Sequence, residues 1–284
     1  MTPQEYCKQK TKESHSTFLI AFIFLEKEKR QALTALYAFC REVDDIADEC
    51  LDHEIASKKL NWWRDEIERL FKNEPQHPVS KALHPFIDHY NLSKNYFIEI
   101  IDGMEMDVKF NRYESFEQLQ LYCYRVASCV GILSARIFGY KNKNTLTFAK
   151  NLGIALQLTN IIRDLGEDAR RGRIYIPLDE LKKIGVSEEE IISLKDSDKI
   201  KNLVKNQVNR AKQFYALAIK TLPTEDKKNQ NIALIMGNIY FVLLNEIVKD
   251  NPEKILNQKT ILPGFRKFRI AILTMLGFTW IQKT

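Results

Sequence analysis

The chain has 284 residues, 45% of them hydrophobic, which is enough for a large core in one large domain or two. Only 10 Gly and 8 Pro, among abundant Leu, Ile, Lys and Glu, favour an all-helical protein. The net charge of +6 comes from 43 basic and 37 acidic residues spread along the chain. This mild excess fits an anionic substrate or a membrane surface. The absence of a compact basic segment interleaved with aromatics argues against nucleic acid.

The five cysteines are odd in number and lack a framework spacing, which predicts a reduced, cytosolic protein. No C-x-x-C motif and no matched His spacing points to a thiolate metal site. The apolar run at 18–25 is short and has no small-residue cleavage site after it, so a buried helix is favoured over a signal peptide. The run Ile270–Ile281 is too short to span a bilayer. A last core helix is favoured there over an interfacial one.

The pattern predicts one all-α domain over residues 1–284, with no strand longer than the IYI at 174–176. Helices are predicted at 3–13, 14–25, 29–50, 52–72, 79–89, 93–108, 116–139, 145–169, 178–184, 197–221 and 226–249. A further short helix is predicted after Ser187, and a last one after the Pro-Gly turn at 263–264.

Two of these helices carry a polar stripe. In the 145–169 helix, Gln157, Asn160, Asp164 and Asp168 fall at offsets 0, 3, 7 and 11 and therefore share one face, although the neighbouring positions are apolar. Buried carboxylates are costly without partners, so this stripe predicts bound cations.

The 29–50 helix repeats the arrangement with Tyr37, Arg41, Asp44 and Asp48 at offsets 0, 4, 7 and 11. One carboxylate pair four residues apart is common on a solvated helix face. Two pairs, each ending a stripe on an otherwise apolar helix, favour chemistry instead.

Facing each other across a cavity, the two pairs would form an oxygen cluster of the kind that holds Mg²⁺ together with substrate phosphates. Nearby arginines could add charge-assisted bonds to those phosphates, with solvated side chains as the alternative: Arg41, Arg163, Arg170, Arg171 and Arg173. Aromatic and aliphatic residues would line a dry cavity for an apolar tail and stabilise a carbocation there, with plain core packing as the alternative: Phe18, Phe22, Tyr37, Tyr122, Val126, Ala127 and Leu156.

The segments YAFCREVDDIAD, YCYRVASCVG and QLTNIIRDLGEDARRGRIYIP resemble the squalene/phytoene synthase family, and the resemblance runs from about Ser16 to Arg269. It implies an all-α isoprenoid synthase fold and the head-to-head condensation of two prenyl diphosphates through a cyclopropylcarbinyl diphosphate.

The resemblance also implies roles for individual residues. Metal and diphosphate binding would fall to Asp44, Asp48, Asn160, Asp164 and Asp168, and an orienting role near the reacting carbons to Tyr122. Substrate contacts would come from Ser16, Thr17, Phe18, Tyr37, Arg41, Val126, Ala127, Gln157, Asn160, Arg163, Arg173, Tyr240 and Arg266. The RRGRIYIP loop would cover the site.

One departure from the family pattern is Ser128, where V-A-G is usual. With LSARIFG and LPGFRK, it makes the chain resemble most the presqualene diphosphate synthases of the hopanoid pathway, which join two farnesyl diphosphates. The alternatives are a phytoene, dehydrosqualene or squalene synthase. Two further alternatives are not enzymes. One is a non-catalytic family member that acts as an assembly or binding protein, and the other is a helical scaffold with solvated acidic faces.

The expected cofactor is Mg²⁺, with Mn²⁺ as the alternative ion and no requirement for NADPH. The expected partners are prenyl diphosphates and, for delivery of an apolar product, a membrane surface and downstream isoprenoid-pathway enzymes. The expected location is the cytoplasm, with peripheral contact on the inner membrane face.

Overall fold

A computed structural model of the chain describes residues 1–13, 18–50, 52–249 and 251–281, with only the backbone of Phe18 and Leu19. The first eight helices in this part of the chain are α1 (Pro3–Glu13), α2 (Phe18–Phe22), α3 (Lys27–Glu49), α4 (His53–Phe71), α5 (Pro78–His89), α6 (Lys94–Lys109), α7 (Phe116–Cys123) and α8 (Cys129–Phe138). The others are α9 (Asn144–Arg163), α10 (Leu165–Arg170), α11 (Leu178–Ile184), α12 (Glu188–Ile192), α13 (Asp198–Thr221), α14 (Asn231–Lys249) and α15 (Gly264–Met275).

In the described ranges the sole β-pairing is an isolated parallel bridge between Arg112 and Ile174. The prediction of an all-α fold is therefore confirmed, and the IYI segment forms no strand.

Two helices form the centre of the packing. Helix α3 contacts α1, α4, α5, α6 and α8, while α9 contacts α7, α8, α13 and α14. Both are buried on most sides, which explains why their sequences are apolar around the polar stripes. The two stripes thus lie on the two helices that the rest of the fold surrounds.

Several predicted helices are divided in the structure. The helix predicted at 116–139 contains a π-helical segment, Tyr124–Ser128, between α7 and α8. The helix predicted at 145–169 breaks at Asp164, and the one predicted at 226–249 begins at Asn231, after a 3₁₀ turn at Thr224–Asp226. The last helix ends at Met275, before the end of the apolar run at Ile281.

A glycine on α9 lets this helix pack directly against the π-helical segment. A Cβ atom at Gly153 would lie 2.6 Å from the Cα of Ser128 and 2.8 Å from the carbonyl oxygen of Ala127. These are backbone atoms and cannot swing aside, so a larger residue would push the two elements apart. The close approach fixes the position of Ala127 relative to the polar stripe of α9.

A buried carboxylate holds the start of α9 in place. Asp226 accepts hydrogen bonds from the backbone N–H groups of Lys141 (2.8 Å) and Asn142 (3.0 Å) and from the hydroxyl of Thr145 (2.6 Å). Although burial opposes ionisation, these hydrogen bonds hold the pKa of Asp226 below its ordinary value. The carboxylate therefore stabilises the folded state when it is charged.

We expect Asp226→Ala to lower the free energy of unfolding by about 2–4 kcal/mol at pH 7, because three donors lose a charged acceptor. The depressed pKa makes this contribution complete above the unfolded value of about 3.9, and the contribution disappears as the pH falls through the folded value. Urea unfolding of both proteins should therefore show a gap that narrows in acid. A gap that is constant from pH 7 to acid would contradict this role.

Two stretches are long and apolar enough to cross a membrane by length and composition alone, Phe116–Phe138 and Asn231–Lys249. The windows concerned are 50% and 67% buried inside the fold, and both stretches contribute to the cavity described next.

Candidate active site

A largely apolar cavity of about 200 Å³ lies between α3, α9, α14 and the α7–α8 region. Its wall includes five of the predicted apolar and aromatic residues, Phe22, Tyr37, Val126, Ala127 and Leu156. The ring of Phe22 contacts that of Tyr37 edge to face, with 6.4 Å between the centroids. The cavity has an aromatic and aliphatic wall of the kind that the sequence predicts for an apolar tail.

Part of the cavity wall is polar. The wall there is formed by Gln157, Asn160 and Tyr240, which the sequence places among the substrate contacts. The Asn160 Oδ1 atom is buried and has no hydrogen-bond partner in the described part of the chain. An unpaired buried oxygen is costly, so the geometry leaves an acceptor available for a ligand.

The first aspartate pair is held by an arginine on its own helix. Arg41 donates to the Asp44 carboxylate at 2.5 Å and also forms an ion pair with Asp45. Burial, together with the neighbouring carboxylates of Asp48 and Asp107, raises the pKa of Asp44 to about 7 although Arg41 opposes this. A bound cation would therefore stabilise the charged form of Asp44.

The two aspartates of the second pair have pKa values that are shifted in opposite directions. Arg163 donates to both oxygens of Asp164, at 2.8 and 2.5 Å, and the ammonium group of Lys259 lies 2.9 Å from it. Burial works against ionisation, but these cations hold the pKa of Asp164 below its ordinary value. Burial, Asp164 and Asp107 instead raise the pKa of Asp168 to about 7.

The basic loop joins the two halves of the site. Arg173 donates to the Asp48 carboxylate at 2.7 Å and to the backbone oxygen of Ala47 at 2.9 Å. Arg171 lies 3.3 Å from the other Asp48 oxygen. The loop therefore lies over the end of α3, and its role in covering the site stays a prediction. Its continuation, Ile174–Ile176, is buried and hydrogen-bonded to the 111–113 loop, which anchors it.

A fifth carboxylate, which the sequence analysis missed, lies between the two pairs. Asp107 on α6 accepts hydrogen bonds from the hydroxyls of Tyr122 and Tyr175, both at 2.7 Å. Burial raises the pKa of Asp107 to about 6, although both hydroxyls and Arg173 lower it. Tyr122 points to Asp107 and stacks on Tyr175, with 5.3 Å between ring centroids. It does not belong to the wall of the apolar cavity as predicted, because its hydroxyl needs that carboxylate.

The remaining predicted contacts differ: some lie outside the described residues, Tyr240 joins the cluster, and Arg266 lies apart from it. Ser16, Thr17 and the side chain of Phe18 are the ones outside the described residues. Tyr240 hydrogen-bonds with Arg163, which joins it to the second pair. Arg266 instead forms an ion pair with Glu246 at 2.8 Å. The next residue, Lys267, is the one whose pKa is lowered by burial and by Arg163, so it faces the site.

The donor set fits a hard divalent cation shared with a ligand. Among the described residues, no three or more His, Cys, Asp or Glu side chains are placed to hold one ion, since arginines occupy the aspartates. Mg²⁺ that binds substrate phosphates needs only one or two carboxylates, with phosphate and water completing its shell. Burial and, after it, neighbouring carboxylates raise the pKa values of Asp44 and Asp168, and the Asn160 oxygen is unpaired; both observations favour such an ion.

Ser128 is the residue on which the sequence-based choice of product rests, and it lies behind the cavity wall. It is fully buried, and its hydroxyl donates to the backbone oxygen of Lys150 at 2.7 Å. Its neighbours Val126 and Ala127 line the cavity instead. Ser128 therefore ties the π-helical segment to α9, and the structure gives it no contact through which to select a product.

Comparison with known proteins gives a consistent result. Residues 11–266 match the squalene/phytoene synthase family model. The chain is 34% identical to the phytoene synthase of Arthrospira platensis, over 96% of this chain and 92% of that protein. It is 39% identical to phytoene synthase 1 of Arabidopsis thaliana, a chloroplastic protein of which it spans 52%.

Among solved structures, a dehydrosqualene synthase in complex with a ligand superposes with a TM-score of 0.86 at 27% identity, covering 97% of this chain and 96% of that one. Squalene synthase HpnC from Alicyclobacillus acidocaldarius superposes with a TM-score of 0.79 at 26% identity, over 88% of this chain and 94% of that one. The presqualene-specific resemblance is not confirmed by these matches, which agree better with the phytoene synthase alternative.

Proposed function

The chain belongs to the squalene/phytoene synthase family of head-to-head prenyl condensing enzymes, and we propose that it is a phytoene synthase that joins two geranylgeranyl diphosphates. The structural observation that carries the condensation is the placement of two aspartate pairs with arginine partners along α3 and α9–α10, while α3 and α9 also line an apolar cavity. The Asp107 carboxylate acts on both Asp44 and Asp168. The choice of product rests on the phytoene synthases among the relatives.

The charged groups would act on the diphosphates. Arg41, Arg163 and Arg173 would bind phosphate oxygens and balance the charge that develops as the first diphosphate leaves with the electron pair of its C–O bond. When bound by Asp44, Asp48, Asn160, Asp164 and Asp168, Mg²⁺ or Mn²⁺ would supply Lewis-acid assistance to that departure.

The apolar wall would then protect the allylic cation. Aromatic faces of Phe22 and Tyr37 can stabilise positive charge, and an apolar wall that keeps water out would prevent its capture. The cation adds to the 2,3 double bond of the second substrate, and loss of a proton closes the cyclopropane. Loss of the second diphosphate, ring opening and loss of another proton give a triene, so no hydride donor such as NADPH is needed.

Tyr122 fits an orienting role in these proton losses. Its pKa is raised well above the ordinary value by burial and by Asp107, so it is a poor base. Asp107, with its pKa near 6, would keep the hydroxyls of Tyr122 and Tyr175 aligned. Because Tyr122 is a poor base, the released diphosphate is the better candidate to accept the proton.

The deciding experiment supplies the purified protein with Mg²⁺ and either geranylgeranyl or farnesyl diphosphate, each with and without NADPH, and identifies the lipid by mass spectrometry. We expect phytoene from geranylgeranyl diphosphate, unaffected by NADPH. Dehydrosqualene from farnesyl diphosphate is the second candidate, because the dehydrosqualene synthase structure superposes over 97% of the chain. Presqualene diphosphate as the end product, or no product at all, would refute the proposal.

The proposed location is the cytoplasm, with peripheral contact on the inner membrane face, because a long hydrocarbon product has to reach a bilayer. Downstream isoprenoid-pathway enzymes are the proposed protein partners.

A further inference from the structure

Helix α15 presents an apolar face to solvent. Phe265, Phe268, Ile272 and Met275 fall at offsets 0, 3, 7 and 10, so they share one side of the helix, and all are exposed. Exposed Ile261, Leu276 and Phe278 adjoin this helix in sequence. Seven of the fifteen large exposed hydrophobic residues in the described part of the chain thus fall within residues 261–278. We call this set of seven side chains the C-terminal apolar face.

This exposure is a property of a well-anchored helix. The opposite side of α15 buries Ile270, Ala271 and Thr274 against α14. The side-chain amide of Asn238 on α14 donates to the Thr274 hydroxyl at 3.0 Å, and its oxygen accepts from the backbone N–H of Trp280 at 3.0 Å. The C-terminal part of α15 and the turn after it are therefore fixed to α14, while the apolar face is exposed to solvent.

The segment around this face carries the whole charge imbalance of the chain. Residues 254–284 contain six Lys and Arg and no Asp or Glu, while the net charge of the complete chain is +6. The preceding 253 residues are therefore balanced. Arg266 and Arg269 both lie on α15, and Arg269 is exposed. Arg266 is paired with Glu246, whereas Lys259 before the helix is paired with Asp164 and Glu167. An apolar face with a basic border is the pattern of a helix that lies in the interface of an anionic bilayer.

We propose that the C-terminal apolar face docks the protein onto an anionic membrane surface, with the axis of α15 in the plane of the interface. A second copy of the chain fits less well, because a two-fold contact would place this basic segment against itself. A nucleic acid backbone would offer no apolar surface to the exposed phenylalanines. The bilayer matches both the apolar side chains and the positive charge.

The C-terminal apolar face lies close to the cavity, so docking would bring the cavity near the bilayer. The use of that closeness for product release rests on the proposed function. Helix α14, which packs against α15, contributes Met236 and Tyr240 to the cavity wall. Helix α2 also contacts α15, and it carries Phe22 in the wall and the exposed Ile23 next to it. The cavity and the docking face are thus two sides of the same layer, so an apolar product could pass between α2 and α15 into the bilayer.

The test is flotation of the full-length protein with vesicles of phosphatidylcholine, with and without phosphatidylglycerol, in the absence of substrate. We expect binding that requires phosphatidylglycerol and weakens with added salt. Phe265→Ser combined with Leu276→Ser removes two side chains that are 78% and 70% exposed, so folding should be unaffected. We expect this pair to lower the partition coefficient at least about tenfold.

The matched control combines Ile55→Ser with Leu217→Ser, which are 46% and 45% exposed elsewhere. It should bind as the wild type does, and both variants should keep the wild-type thermal midpoint. Equal loss of binding in both pairs, or no binding by the wild type, would overturn the proposal. A dimer that only the Phe265 and Leu276 pair disrupts, without vesicle binding, would overturn it in favour of a second copy. Since no substrate is present, these results are independent of whether the enzyme makes phytoene.

Discussion

Asp44→Asn and Asp164→Asn are each expected to lower turnover on the order of 10²–10³-fold, because each removes a carboxylate that would hold the metal and its diphosphate. The substitutions keep the shape of the side chain, so the cavity wall is not changed. Single-turnover rates with saturating geranylgeranyl diphosphate and Mg²⁺ measure the effect directly.

The chain offers a matched control for each substitution. Asp45 shares Arg41 with Asp44 but forms its other ion pair with Lys10, and Glu167 shares Lys259 with Asp164. Asp45→Asn and Glu167→Gln should leave turnover within a few-fold of the wild type. Near-normal rates in Asp44→Asn or Asp164→Asn, or equal losses in the controls, would refute the assignment of the aspartate pairs.

The same two variants should differ in stability without metal. A raised carboxyl pKa costs folding free energy above the unfolded value of about 3.9, with the full cost reached above the folded value. Asp44→Asn removes such a cost, so at pH 8 in EDTA its thermal midpoint should equal or exceed that of the wild type. Asp164→Asn removes a carboxylate whose pKa is lowered by Arg163 and Lys259, so its midpoint should fall.

Arg173→Gln is expected to lower turnover about 10²-fold, because this guanidinium joins the loop after the second pair to the end of the first. Its side chain is only 17% exposed, and its charge also acts on Asp107 and Asp168. Loss of the arginine should also raise the KM for the diphosphate substrate, which steady-state kinetics would show.

Arg171→Gln is the matched control for this prediction. Arg171 contacts the same Asp48 carboxylate at 3.3 Å, but its side chain is 58% exposed and solvent screens its charge. Its replacement should change turnover only a few-fold. Equal effects of the two substitutions would mean that the loop contributes general positive charge, without a specific role for Arg173.

The sequence reveals those parts of the site that repeat along a helix. Asp44 and Asp48, like Asp164 and Asp168, are recognisable because their spacing puts two carboxylates on one side of an apolar helix. The break in the helix at Asp164 does not disturb this spacing, since the backbone N–H of Asp168 still donates to the backbone carbonyl oxygen of Asp164 at 2.9 Å.

Asp107 and Lys259 carry no comparable signal. Asp107 is one of two acidic residues in EMDVKF, and nothing in that segment distinguishes it. Its role depends on contacts with Tyr122 of α7 and Tyr175 of the basic loop. Lys259 lies in a loop far along the chain from Asp164. A tertiary contact decides the role of each, and helical periodicity contains no information about such contacts.

Lys267 and Arg266 show a third kind of limit. The sequence identifies a basic pair there, but neighbouring residues on a helix point about 100° apart. Only the packing of α15 on α14 decides which of the two faces Arg163.

The π-helical segment Tyr124–Ser128 takes up one extra residue within a continuous helical stretch. A π-turn contains about one residue more than an α-turn, so the extra residue is absorbed in a wider turn, and α7 and α8 keep nearly the phase of one regular helix. Deleting one residue here is therefore expected to narrow the turn and to leave Tyr122 hydrogen-bonded to Asp107. The widened turn carries Val126 and Ala127, which line the cavity. The extra residue thus shapes this wall of the cavity without disturbing the contact between Tyr122 and Asp107.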